Sequence, residues 1–377
     1  MKVFFRRIHL YLALVAGLVV MVTCFTGAVL VFEKELQQLF NKERYEVMPG
    51  SQRLPLEQLI NNVKKAEPKA IVNRVQVFEE PERTVVISYR GGKKNQAFVN
   101  PYTGEVIELY SYRDTFYYTM FSLHRWLLGG DVGKLIVGIC TLMFLFILIT
   151  GIILWWPKNK RILQQRLKIK WTAGWKRINH DWHIVLGFYT AIFLFIFAFT
   201  GLAWSFEWFN KGIYTITNSS MERPKPPPST WRPGVSPVDA DAAYRLARQH
   251  FSEFEYITIN LPGDSLAPVS LSALPVDAIH ESATDQVFID QYSGEKTGQL
   301  YYAERNLGSR VRSTFKPVHT GSIYGIPSKI IALIACLCGA TFPVTGIIMW
   351  INRIRKKKSA KSSTGEKELK TVLTETL

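Results

Sequence analysis

Residues 178–188, INHDWHIVLGF, place two imidazoles three residues apart where a basic loop gives way to a long apolar run. Imidazole ligates metals and titrates nearest neutrality, so His180 and His183 are the first candidates for chemistry. Their register with the rest of the chain separates them. His183 is followed 17 residues later by Thr200-Gly201 and, six beyond Thr200, by Phe206-Glu207. His9 is followed at the same offsets by Thr26-Gly27 and Phe32-Glu33, a shift of 174 residues. Applied to His180, that shift lands on Arg6, so His180 has no histidine counterpart. A second pair repeats in the same manner. His124 lies 26 residues before Thr150-Gly151, with Gly130 and Lys134 six and ten residues after it. His319 lies 26 residues before Thr345-Gly346, with Gly325 and Lys329 at the same offsets.

A lone histidine at an interface is ordinarily a polar residue at a polar depth. Four of seven in a two-by-two register are another matter, because ionisable groups inside a membrane are costly and usually functional. Two imidazoles opposed at one depth in a helix bundle bind haem iron from both faces; bundle cores build such sites from facing helices, and axial ligands are a main lever on the iron. Iron ligated in this way has no open position and carries electrons. The competing reading is a metal site without porphyrin, but zinc calls for three or four converging ligands, whereas these come in pairs. No C-x-x-C-H occurs, so the expected haems, two per chain, are non-covalent. His250 and His280 show no partner pattern and are expected at the surface.

The elements that must position these residues are apolar runs at roughly Leu10–Phe32, Leu135–Trp156, Ile184–Phe206 and Ile330–Ile351, each free of Lys and Arg. A bilayer crossing takes about 20 residues, so four spans are expected. The first is longer than a signal-peptide core and lacks a clear cleavage site. Residues 157–177 carry eight Lys or Arg and no acid, and the stretch NRIRKKKSAK after the fourth run carries six more basic residues. By the positive-inside rule both lie in the cytoplasm, as do Arg6, Arg7 and both termini. The net charge of +16 is therefore mainly topological and does not call for nucleic acid. Cys24, Cys140, Cys336 and Cys338 fall in the spans, where Cys behaves as a small apolar residue. The Thr-Gly pairs are expected to be close-packing points between helices. Trp155, Trp156, Trp204, Trp208 and Trp350 are expected in an interfacial belt.

Expected boundaries are 1–33, 116–157, 179–208 and 316–352 for the spans with their flanks. A basic cytoplasmic loop fills 158–178, and a tail 353–377. The segments 34–115 and 209–315 are expected as two small α+β domains on the far side. The first has a helix in LPLEQLINNVKKAEP, then strands NRVQVFE and TVVISYR and a hairpin around FVNPYTGEV. The second has a proline-rich lead, a helix in DADAAYRLARQHF, strands YITINLP and PVSLSALP, and a hairpin around FIDQYSGEK. The two hairpins match, so the outer segments are copies, although Asp290-Gln291 replaces Asn100-Pro101 and a different turn is expected there. Since both halves start in the cytoplasm, the spans form parallel repeats about an axis along the membrane normal.

RRIHL…TGAVLVFEKEL, LHRWLLGG…TGIILWWP, HDWHIVLG…TGLAWSFEW and HTGSIYG…TGIIMW, with NPYTGEV between, resemble the PepSY-associated transmembrane family over residues 1 to about 353. The resemblance implies an all-α bundle of four transmembrane helices with two periplasmic α+β PepSY-like domains, in the bacterial inner membrane. It also implies b-type haem and, as in some members, reduction of a ferric siderophore or another Fe(III) chelate with electrons from a cytoplasmic donor. On that reading His9/His183 and His124/His319 are the axial pairs. Arg6, Arg7 and Arg177, with His180, are candidates for the inner haem's propionates or the donor; Arg125, Lys134 and Lys329 are candidates for the outer one's. A non-catalytic regulator that binds a peptidase or partner protein is the alternative, and a transporter a third.

Overall fold

The computed structural model describes residues 1–222 and 224–356, and the backbone of the last helix as far as Glu375. The described chain divides into two compact units. One comprises 1–31, 120–206 and the chain from 326 onward; the other comprises 32–119 and 207–325.

Four helices of the first unit are long and apolar enough to cross a bilayer: Lys2–Leu30, Gly130–Trp155, Trp175–Ser205 and Ile326–Lys356. The first packs against the second and fourth, and the third against the same two, so the first and third occupy diagonal places. Small residues make the centre: Ala16, Val20, Cys24, Cys140, Leu194 and Ala335 are buried together, and a Cβ on Gly17 would stand 3.3 Å from Pro343. Only 22–33% of each apolar window is covered by protein, so most of its surface requires an apolar solvent. This is a multi-pass membrane protein. All four cysteines are free thiols. Trp155 departs from the expected belt. It is 7% exposed and stacks on Phe188 with ring centres 3.7 Å apart, whereas Trp156 is exposed. Adjacent residues on a helix point about 100° apart, which sends one indole inward and the next outward.

The chain breaks at 127–129, just before the second span. The helix Phe116–Trp126 ends before the second span starts at Gly130. Leu127 and Leu128 between them adopt φ +50 and +58, and Gly130 φ +56. In the second half, helix Leu307–His319 ends before Ser322–Tyr324 and the fourth span. His124 and His319 thus lie on short helices that precede the spans.

In the second unit each half supplies a helix and a four-stranded meander. The strands are β1 (Ile71–Phe78), β2 (Val85–Arg90), β3 (Gln96–Val99) and β4 (Val106–Tyr110), then β5 (Phe254–Asn260), β6 (Val269–Pro275), β7 (Asp285–Ile289) and β8 (Lys296–Leu300). The outer segments 34–115 and 209–315, expected as separate domains, share one antiparallel sheet of order β4-β3-β2-β1-β5-β6-β7-β8. They also share one core, in which Leu59, Ile87, Ile257 and Leu271 are fully buried, each worth about 1.5–3 kcal/mol. Val75 pairs with Ile259 at the seam, and the helices start at Leu56 and Ala240. The two helix starts cap each other: Asp241 accepts from Leu56 N and Glu57 N, and Glu57 accepts from Ala240 N. Each carboxylate satisfies amides left open in the partner helix's first turn.

The two hairpin turns agree despite their sequences. Asn100 Oδ1 accepts from Tyr102 N and Thr103 N, and Asp290 Oδ1 from Tyr292 N and Ser293 N. Gly104 and Gly294 take φ +75 and +72. The side-chain oxygen common to Asn and Asp sets the turn, and the next position suits Pro101 and Gln291 alike.

His280 corrects the surface expectation. It is 7% exposed, its Nδ1 accepts from Ser282 N, and its Nε2 faces the Tyr302 hydroxyl at 3.1 Å. Burial pushes its pKa below the ordinary histidine value, with Arg305 acting in the same direction and Glu281 opposing. A group whose folded pKa is depressed contributes stability above the unfolded value of about 6.5, and loses it as pH falls through the folded value. Thermal unfolding followed from pH 7.5 to 5 should show this loss in the wild type and a flatter dependence in His280→Gln. Equal slopes would exclude it. Asp290, whose burial is outweighed by its three backbone N–H bonds, is held below the carboxylate range and acts only at lower pH.

Candidate functional site

The first span carries His9. Its ring reaches the second span, where Nδ1 donates to Ile147 O at 3.1 Å and lies 3.1 Å from Thr150 Oγ1. A carbonyl only accepts, so Nδ1 carries the ring proton. The Thr150 hydroxyl has one hydrogen, and it points back to the carbonyls of Phe146 and Ile147 on its own helix. It can therefore only accept from His9.

His183 is seated in the same way on the fourth span. Its Nδ1 lies 2.8 Å from Thr345 Oγ1, whose proton goes to the carbonyls of Thr341 and Phe342. In the neutral form each imidazole then carries its proton on Nδ1 and leaves Nε2 bare. The ring centres stand 6.5 Å apart with planes at 79°. Two imidazoles bound through Nε2 to one first-row metal ion, at about 2.0–2.1 Å each, have centres about 6.4 Å apart.

Two glycines allow this approach. A Cβ on Gly151 would stand 3.4 Å from His9 Cε1, and one on Gly346 would stand 3.4 Å from His183 Cε1. Among the described residues no group of three or more His, Cys, Asp or Glu gathers as a metal site. The donor set is thus two neighbouring imidazoles, which fits an ion whose remaining ligands come from a planar macrocycle better than tetrahedral zinc, which calls for three or four protein ligands.

The backbone explains why His183 is the one presented. Residues Trp182–Leu186 form a π-helical turn between Trp175–Asp181 and Gly187–Ser205, a local widening that often marks functional positions. The segment is fastened to the fourth span on either side of His183's own bond, by Asn179 Nδ2 to Thr345 O and Trp182 Nε1 to Thr341 Oγ1. His180 turns elsewhere. Its side chain is 45% exposed, and its Nδ1 donates to Asp181 Oδ1 at 3.3 Å. Asp181, nearly buried, also accepts from Arg177 Nε and Lys170 N.

The third seat belongs to His124. Its Nδ1 donates to Thr23 O at 2.9 Å and lies 3.3 Å from Thr26 Oγ1, whose own proton goes to Val22 O. A Cβ on Gly27 would meet His124 Cε1 at 3.2 Å. Hence Thr26-Gly27, Thr150-Gly151 and Thr345-Gly346, expected to pack helix on helix, each receive an imidazole. Sequence reasoning used these pairs as a ruler and missed them as partners. The signal was present in the constant spacing, but each pair receives a histidine from another helix. Along the first span, 17 residues from His9 to Thr26 amount to about 25 Å, so the two seats lie near opposite ends of a bilayer crossing. His319, half-buried, closes helix Leu307–His319 in the other unit.

The candidate cations divide. Arg6 and Arg7 are exposed; Arg177 is engaged by Asp181; Arg125 Nη2 donates to Trp204 O at 2.7 Å. Lys134 is half-buried in the first turns of the second span, and Lys329 is 8% exposed in those of the fourth.

The sequence matches the family described as PepSY-associated TM region over residues 6–353. No curated protein matches the chain.

Proposed function

The chain belongs to the PepSY-associated transmembrane family, and from that premise we propose that it is a transmembrane electron carrier. His9 and His183 would hold one haem and His124 a second, and an Fe(III) chelate such as a ferric siderophore would be the acceptor. The observation that carries this reading is the pair of rings 6.5 Å apart, each with its Nδ1 engaged by the neighbouring span, which in the neutral ring leaves the Nε2 electron pair available. Bound haem would supply one-electron transfer.

The chain's own residues do the rest. Ile147, Thr150 and Thr345 hold the ring protons at Nδ1. The packed centre around Ala16, Val20 and Leu194 excludes water. Held by both His9 and His183, the iron would carry electrons and would not bind oxygen or chelate. The basic 157–177 loop supports a cytoplasmic location for the His9 end, hence a cytoplasmic donor, an inner-membrane address and the sheet-bearing unit in the periplasm. A ferric ion that gains an electron is a softer guest, held more weakly by hard oxygen donors, so reduction would release it. For His319 the support is the sequence register.

Purified from haem-replete cells, the protein should be red. Its absorption should be that of a low-spin six-coordinate b-type haem, with about two haems per chain extractable by acid-acetone. Colourless protein would overturn the reading and leave a regulator that binds a partner protein.

A further inference from the structure

We propose that Thr150, Thr345 and Thr26 are positioning residues that select the histidine tautomer, and that the glycine after each sets the depth of the ring. The inference deepens the haem reading above and rests on it for its consequence, though not for its geometry.

Protons are in short supply at these seats. A threonine hydroxyl has one hydrogen and two acceptor sites. In a water-free helix the hydrogen turns back to the carbonyl one turn earlier. Thr26 gives its hydrogen to Val22 O at 2.7 Å, Thr150 to Phe146 O at 2.8 Å, and Thr345 to Thr341 O at 3.1 Å. Each hydroxyl is then an acceptor only. The ring nitrogen facing it must be the protonated one, which leaves Nε2 bare. Each ring also has a backbone partner as a second lock: Ile147 O for His9, Thr23 O for His124 and the Phe342 backbone for His183. Three separate seats on three different spans reach the same result with the same two residue types. Thr200, the fourth member of the repeat, commits its hydroxyl in the same way, to Ile196 O at 2.7 Å.

The glycine supplies the other half. With Cε1 at 3.2–3.4 Å from where a Cβ would stand, the ring lies against bare backbone. Any side chain would displace it outward by a few tenths of an ångström. A ligand ring fixed in tautomer and depth before the metal arrives is the pattern of outer-shell support, whose loss costs about 10- to 100-fold in metal affinity.

The test uses full-length protein with Thr345→Val and Thr150→Val, which keep shape and lose the hydroxyl, beside Thr345→Ser and Thr150→Ser, which keep the hydroxyl. Haem affinity should fall in both Thr345→Val and Thr150→Val, by up to about 10- to 100-fold, with the backbone partners Phe342 and Ile147 left in place. Chains that retain haem should show a raised midpoint potential, because an imidazole that has lost its Nδ1 bond is a weaker donor. Both serine variants should restore the wild-type values. Unchanged affinity and potential in the valine variants would overturn the proposal.

A second readout needs no haem. In haem-free protein labelled with ¹⁵N-histidine, His9, His124 and His183 should each report the Nδ1–H tautomer, and Thr345→Val should give His183 a mixture. An Nε2–H tautomer in the wild type would sink the proposal even if haem binds. Protein that binds no haem yet shows these tautomers would refute the electron-carrier reading and leave the seats standing.

Discussion

Replacing His183 by alanine should abolish the haem next to His9, and replacing His180 by alanine should leave it in place. The two residues are three apart, which on a helix means about 4.5 Å along the axis and roughly 60° around it. The structure spends that difference in one direction. His183 faces His9 at 6.5 Å and is fixed by Thr345, while His180 is bound to Asp181 and half open to solvent. Loss of a ligand should exceed the about 100-fold that loss of an outer-shell bond produces, so His183→Ala should purify with one haem instead of two. His180→Ala should keep two, with at most slower reduction, since its side chain touches the Asp181–Arg177 pair. Soret absorbance per chain decides the matter. If His180→Ala loses the haem and His183→Ala keeps it, the wrong imidazole has been assigned.

Gly133→Ala should be the most damaging single methyl group in the membrane unit. A Cβ there would overlap the carbonyl oxygen of Trp126. That carbonyl cannot swing aside freely, because it accepts from Gly129 N at 2.7 Å inside a turn already strained by left-handed Leu127 and Leu128. Overpacking against side chains costs 1–3 kcal/mol and more against backbone, so about 3 kcal/mol or above is expected. The turn joins the His124 helix to the second span, and forcing it open withdraws His124 from Thr26-Gly27. The variant should therefore lose thermal stability and hold one haem, at the His9 seat. Gly212→Ala is the control: nothing lies within 4 Å of its Cβ, and a gain of up to about 1 kcal/mol from helix propensity is expected. Full haem content and unchanged melting in Gly133→Ala would refute the assignment.

The sequence made the spans, the helix and strand order of each half, and the duplication visible, because each is written in local periodicity. It also placed His183, and not His180, in a register shared with His9. Other features depend on contacts no spacing encodes. The π-helical turn at Trp182–Leu186 leaves the residue count to Thr200 unchanged and is invisible to an offset. Asn100 and Asp290 look different beside their neighbours, yet the turn hangs on an oxygen they share. His280 lacks a sequence partner, but Tyr302 and Ser282 bury it. The role of the Thr-Gly pairs was hidden because each serves a histidine on another helix.

The seam between β1 and β5 also governs how the chain can be made. Synthesis delivers β1 to β4 long before β5 exists, since Val75 must wait for Ile259 and the Leu56 helix start must wait for Asp241. Throughout that interval β1 is an unprotected edge, with Val75 and Val77 destined for burial and no neighbouring strand. A half-made chain is therefore adhesive in a specific way. Its natural cover is a β5 strand, and any nearby copy of the protein whose second half has emerged can supply one. Crowded synthesis would then yield strand-exchanged dimers, and a chain truncated before residue 254 would aggregate instead of folding as a smaller version of the whole.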